Sequence, residues 1–233
     1  MQPECVKLDS MDTTEPPAFQ RARSPEHRER RARDLLQAAA ELAESGGTRT
    51  VTLKGIAQRA GVHASAVRGY FSSREEILLR LATASWQAWS RDLTEQLTGA
   101  GPLDANGLAR SIAASLAEHS LFCDLLAHAA VSLEREVPID CLHEYKSAAV
   151  RVVDELADAL HRALPALSRA DGREVVAAAT ALAPAFWQYA NPGETLELLY
   201  ERVPQLASAH VDFEPRMTVL LTALINGLTG PRI

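Results

Sequence analysis

The chain has 233 residues, of which 47% are apolar but only 5% aromatic, and its net charge is −6. That suffices for a buried core in one large domain, or in a small domain joined to a larger one. Ala and Leu supply most of the apolar content, no alternating run of Val, Ile and Thr occurs, and no stretch reaches the roughly 18 apolar residues of a membrane span. A strand-built fold and a membrane protein are thereby set aside.

Residues 1–19 are acidic and include Glu15, Pro16 and Pro17, without the basic-then-apolar order of a secretory signal; residues 1–23 are expected to be a disordered tail. The first predicted helix runs from Pro25 to Ser45, with Leu35, Leu36, Ala39, Leu42 and Ala43 at helical spacing and Gly46-Gly47 as its stop. Thr52 is a good N-cap for a second helix ending near Ala60, and a short third helix covers about Ala64 to Tyr70. Ser73 opens a long fourth helix, with Glu76 completing a capping box, and this helix stops before Gly99-Ala100-Gly101-Pro102. Further helices are predicted from Asp104 to Glu118, through Phe122 to Leu133, from beyond Val137-Pro138 to Leu164, from Ala170 to Ala190, from Glu194 to Ala207 and from Phe213 to Leu228. The expected fold is all-α: an N-terminal three-helix domain over residues 24–80 joined to a larger helical domain over 81–233.

The charge is not evenly spread. Residues 20–80 hold 12 basic and 7 acidic residues, whereas residues 81–233 carry a net −8. Fields are screened beyond roughly 8 Å at physiological salt, so an anionic polymer responds to the local excess. A solvated Arg-rich helix face accounts for the same numbers. Cys5, Cys123 and Cys141 have no paired spacing, which fits free thiols in a reducing cytoplasm.

Within the basic segment, Ile56-Ala57, Ala60-Gly61-Val62 and Val67 have the spacing of a helix-turn-helix. Ala57 is small enough to let two helix backbones approach. Gly61 supplies a tight reversal. Ile56, Val62 and Val67 form a shared core. The outer face of the third helix is left with His63, Ala64, Ser65, Arg68 and Gly69, a set that suits the major groove of B-DNA. An ordinary helical hairpin is the plainer alternative.

The stretch Thr52-Leu53 through Val62, followed by Tyr70-Phe71, Ser73-Arg74-Glu75-Glu76-Ile77-Leu78, with Leu35-Leu36-Gln37-Ala38-Ala39 upstream, resembles the tetracycline-repressor (TetR) family. The resemblance implies a transcriptional regulator, usually a repressor, that binds a palindromic double-stranded operator as a homodimer and is released by a small-molecule effector. No pair of His sits with Glu or Cys in zinc-ligand spacing, so no metal and no cofactor are expected. The resemblance assigns phosphate contacts to Thr52, Tyr70 and Arg74. The chain departs from the family pattern at His63 (usually Ser), Ser65-Ala66 (usually Gly-Thr), Arg68 (usually Tyr) and Ala43 (usually Phe), which implies an operator of its own. Arg68 reads as a bidentate guanine contact, or else as a phosphate contact or an intramolecular ion pair. His63 either caps the third helix or touches phosphate. Arg21, Arg23, Arg28, Arg30, Arg31 and Arg33 add backbone contacts or form a solvated face.

In the larger domain, the helices near 170–190 and 213–228 are the expected homodimer surface, the alternative being burial within one chain. Trp86, Trp89, His119, Phe122, Tyr145, Phe186 and Trp187 are candidate effector-lining residues, each of which could equally be plain core. Pro184 is expected to kink its helix. No His-Glu-x-x-His, phosphate-binding Gly-rich loop or Gly-x-Ser-x-Gly occurs, so an enzyme is not expected. The alternative function is a helical interaction protein that has lost operator binding.

Overall fold

A computed structural model of the chain describes residues 25–129, 132–135, 137–209 and 211–231. The tail expected over 1–23, with Cys5, Arg21 and Arg23, lies outside them. Among the described residues there are ten α-helices and no strand. They are α1 (Pro25–Gly46), α2 (Leu53–Arg59), α3 (Ala64–Arg68), α4 (Arg74–Ala100), α5 (Ala105–Glu118), α6 (Ser120–Ala129), α7 (Ile139–Ala163), α8 (Arg169–Ala190), α9 (Glu194–Arg202) and α10 (Phe213–Thr229). Single 3-10 turns occupy Thr48–Thr50 and Leu133–Arg135, and a longer one spans Pro204–Ala209.

Local chemistry sets most helix starts. Thr52, Ser73, Asp104 and Ser168 cap α2, α4, α5 and α8, each accepting the amide three residues on. Such a cap contributes about 1 kcal/mol. At Ser73 the Glu76 carboxylate also turns back, taking the Ser72 amide at 2.8 Å and the Ser72 hydroxyl at 2.7 Å. Burial opposes the charge on Glu76, but the Ser72 amide and hydroxyl and the Arg80 guanidinium outweigh it, so this carboxyl titrates below its ordinary value.

Three boundaries differ from expectation. Helix α4 runs through Gly99 and ends only where Gly101 turns to φ 73°. Leu133, expected on the helix through Phe122, belongs to a 3-10 turn, Leu133–Arg135. Helix α9 ends at Arg202, because Pro204 disfavours helical geometry at Val203, which sits at φ −131° and ψ 78°.

Helices α1 to α3 make a small head; α4 to α10 make the body. The two are not separate globules, since α4 passes residue 81 without a break and one contiguous core extends from Leu35 in α1 to Ile225 in α10. In the body α4 lies on α7, α5 on α10, and α8 packs against α6, α7 and α10.

Candidate nucleic-acid interface and regulatory core

The head is built around a few apolar side chains. Ile56, Ala57 and Val67 are buried, and Val62 is partly so. Ala57 also accepts the Val62 amide at 2.9 Å, and Gly61 between them stands at φ 65°, where a side chain would be strained. The helix-turn-helix read from the spacing is thus present, with α2 and α3 as its two arms.

Because the apolar residues all point inward, α3 turns its polar side to solvent. His63, Ala64, Ser65, Arg68 and Gly69 are exposed, and Tyr70 is partly exposed. His63 is the N-cap: its Nδ1 accepts the Ser65 amide at 3.4 Å and lies 2.9 Å from the Ser65 hydroxyl. The cap reading of His63 is therefore realised. Arg68 forms no ion pair with any described residue, so its guanidinium keeps all its donors. Thr52, exposed at the start of α2, accepts the Gly55 amide at 3.0 Å and retains its hydroxyl hydrogen for a further acceptor.

Two arginines behave unlike the sequence expectation. Arg74 points into the head rather than out of it. Its Nε donates to the Val51 carbonyl and its Nη2 to the Thr48 carbonyl, both at 2.6 Å, while Nη1 meets Glu75 at 3.1 Å. A phosphate would have to compete with those bonds. Arg28, placed by sequence in a general basic run, instead lies 5.7 Å over the Tyr70 ring and donates to the Gly69 carbonyl at 3.4 Å. The N-terminal turn of α1 thus sits beside the C-terminal end of α3 and brings a cation to the same face. Nothing in the sequence distinguishes Arg28 from its neighbours in this respect.

Farther back, α1 and α2 are tied by Arg59, whose Nε meets Glu41 at 2.6 Å. This pair and the Gln37 amide hold the Glu41 carboxyl below its ordinary value.

The seven candidate effector residues fall into separate contact groups. Trp86, Trp89 and Phe122 pack directly on one another, with ring centroids 5.0 to 5.9 Å apart, and Trp86 Nε1 donates to the Tyr145 hydroxyl at 3.5 Å. All four are buried. They fill the α4–α6–α7 core. His119 closes α5, its ring 2.8 Å from the Ser115 carbonyl and 3.1 Å from Asp92. Phe186 and Trp187 belong to a second group on α8, Trp187 standing edge-on to Phe213 of α10 at 5.5 Å. The Trp89 indole N–H is buried without a partner among the described residues. An open groove of about 590 Å³ between α4 and α7 is lined largely by polar and charged groups, among them Ser90, Arg91, Arg151 and Glu155, and by none of the seven. Burial pushes the Cys123 thiol up to about 12, which makes it an inert core group. No described helix is long and apolar enough to cross a membrane.

Two family models match the chain: "Bacterial regulatory proteins, tetR family" over residues 35–81, and "Tetracyclin repressor-like, C-terminal domain" over 83–232. No curated relative matches in sequence. Among solved structures, a putative transcriptional regulator from Rhodococcus sp. RHA1 is similar at TM-score 0.55 and 17% identity, covering 85% of this chain and 95% of its own. The TetR-family repressor FadR of Thermus thermophilus, solved with lauroyl-CoA, gives TM-score 0.54 at 16% identity and covers 87% and 97%. The TetR-family regulator PfmR, also of Thermus thermophilus, gives 0.52 at 15%, covering 83% and 98%. At these identities the structures speak for the fold, whereas the family models span both head and body. The chain belongs to the tetR family of bacterial regulatory proteins and is a transcriptional regulator.

Proposed function

We propose that the chain is a repressor that binds a palindromic DNA operator as a homodimer, with the exposed side of α3 in the major groove, and that a small molecule bound in the body releases it. The observation that carries this is the outward face of α3. His63, Ser65 and Arg68 point away from a completed local core, and Arg68 is exposed with no ion-pair partner among the described residues. Thr52 and Tyr70 flank that face and suit phosphate contacts, which set position rather than sequence. Arg74 acts here as a brace for the Thr48–Thr50 turn, with Arg28 joining the basic face. Arg68 is the residue assigned to base reading, because its fork matches O6 and N7 of guanine.

One head reads few base pairs, so a symmetric pair is needed, with half-sites about 34 Å apart. The body offers a surface for it. On α8, Ala177, Ala181, Ala185 and Tyr189 recur every fourth residue and are exposed; on α10, Pro215, Val219, Ala223 and Gly227 do the same. Val219 is 64% exposed and Tyr189 is 59% exposed. Small residues on four-residue ridges let helices of two copies approach closely. Between these helices, α9 has no buried residue at all, which fits an edge completed by a second copy. The effector site is assigned to the aromatic core around Trp86, Trp89 and Phe122, where the unpartnered Trp89 N–H would meet an acceptor once the rings separate. Ligand then favours a head spacing that misfits the operator.

Selection of bound DNA from a random pool tests the reading. Recovery of an inverted repeat with guanine at a fixed position in each half, lost in Arg68→Ala, is expected. Recovery of no enriched sequence by folded protein would overturn it.

A further inference from the structure

The turn that precedes α2 is held from outside the head. Thr48 is fully buried, its amide donates to Asp124 Oδ2 at 2.7 Å, and its carbonyl accepts from Arg74 at 2.6 Å. Asp124 lies in α6, in the body, 76 residues along the chain. Its other oxygen accepts from Gln188 Nε2 of α8 at 3.0 Å, with the His128 ring 3.9 Å away. Arg74 also takes the carbonyl of Val51, and the next residue is Thr52, the cap of α2. An unbroken run of hydrogen bonds therefore leads from Gln188 through Asp124, Thr48 and Arg74 to Val51, the residue before the cap of α2.

Asp124 is the one acid in the apolar segment Ser120–Ala129, and its side chain is only 16% exposed. A mostly buried carboxylate is costly unless donors satisfy it, and packing alone would favour a leucine here. Its donors are one amide of the head and one side chain of α8. The residue before Thr48 is Gly47, at φ 77°, where a side chain would be strained.

The far end of the run is where the body can bend. Pro184 lies inside α8 and has no N–H, so the Thr180 carbonyl loses its helical donor and the segment Pro184–Ala190 can tilt as a unit. That segment carries Trp187, packed on α10, and the exposed Ala185 and Tyr189.

We propose that Asp124 is a positioning residue for operator binding: it transmits the tilt of the last turns of α8 to α2 and α3 through the Gln188–Asp124–Thr48 hydrogen bonds. This rests on the operator-binding reading above and names how the body reaches the head. A second copy against Ala185 and Tyr189 acts on α8 at the point where Gln188 grips Asp124.

The test is residue-resolved amide hydrogen exchange on the full-length protein, together with affinity for pool-selected DNA. The variants are Asp124→Ala, Gln188→Ala and Gln87→Ala, the last an exposed glutamine of α4 outside the run. Thr48 exchange is expected to quicken roughly tenfold in Asp124→Ala, as befits loss of one charge-assisted hydrogen bond. Several-fold quickening is expected in Gln188→Ala, and none in Gln87→Ala. Operator affinity should fall in the same order, with melting temperature and sedimentation showing each variant folded and unchanged in oligomeric state. If Asp124→Ala does not fold, Gln188→Ala carries the test, since Gln188 is a surface residue. Thr48 exchange unchanged in Gln188→Ala overturns the proposal, as does operator affinity of folded Asp124→Ala within twofold of wild type. Quickened exchange in Gln188→Ala, in a protein that selects no DNA, would uphold the coupling and overturn the operator reading instead.

Discussion

Head and body are made of the same residue types but spend their polar groups differently. In the body, several cations are matched by nearby acids: Arg169 meets Asp158 at 2.6 Å, Arg173 meets Asp154, and Lys146 meets Glu134 at 2.7 Å. In the head, Arg49, Lys54 and Arg68 are exposed and have no ion-pair partner among the described residues. The body's large side chains fill its interior, whereas the head has little interior to fill and holds its shape through caps, two positive-φ glycines and borrowed hydrogen bonds. A surface whose charges are already paired gains little from a phosphate; one whose charges are unpaired gains a counterion-release term for each contact. The difference separates a part built for stability and signalling from a part built to meet a polyanion.

Four changes would break or sharpen that contrast. The largest effect is expected from Trp89→Ala, which empties the centre of the body. A cost of about 3–5 kcal/mol is expected from chemical denaturation, arising from packing, since the indole N–H has no partner among the described residues. A loss below about 1 kcal/mol would mean that the aromatic group is loosely packed and already a cavity wall.

Arg68→Ala should do the opposite. Stability should stay within about 0.5 kcal/mol of wild type, while operator affinity falls by about 1–3 kcal/mol and selectivity relaxes at one base pair. A uniform loss over all sequences would reassign Arg68 to phosphate.

The junction between the regions gives a pH effect. The folded-state pKa of Glu76 is held below its ordinary 4.5, so its bonds to Ser72 and Arg80 stabilise the start of α4 above that value. The contribution fades as pH falls through the lowered value. Melting temperatures between pH 7 and pH 3 should therefore drop less steeply in Glu76→Gln, which starts lower at pH 7. Parallel curves for the two proteins would rule out this carboxylate as a source of acid lability.

The smallest change is Lys54→Ala, on the exposed side of α2. It should weaken all DNA about equally and reduce the salt slope by about 0.9 log units per log salt, the value of one phosphate contact. An unchanged slope would place Lys54 away from the backbone.

The devices legible in the sequence are those closed over a few residues. Thr52 and Ser73 each cap an amide three positions on, Gly61 reverses the chain within one turn, and Ile56, Val62 and Val67 meet because helical spacing leaves them no other side. Family membership was legible for the same reason, since its motif is a run of such local devices. The helical nature of the body followed from composition and periodicity, and most of its breaks from Gly and Pro.

What tertiary structure alone decided are the contacts between residues far apart in sequence. Arg28 reaches Tyr70, and Arg74 turns inward to Thr48 and Val51, because α1, α3 and α4 converge; no spacing announces that. Trp86, Trp89 and Phe122 meet, with ring centroids 5.0 to 5.9 Å apart, because α4 and α6 pack together. Asp124 left a trace, as an acid in an apolar helix, but its partner Thr48 is 76 residues away. Local rules act through backbone geometry that a few residues determine completely. Long-range pairs depend on where whole helices lie, which is fixed only when the common core from Leu35 to Ile225 closes.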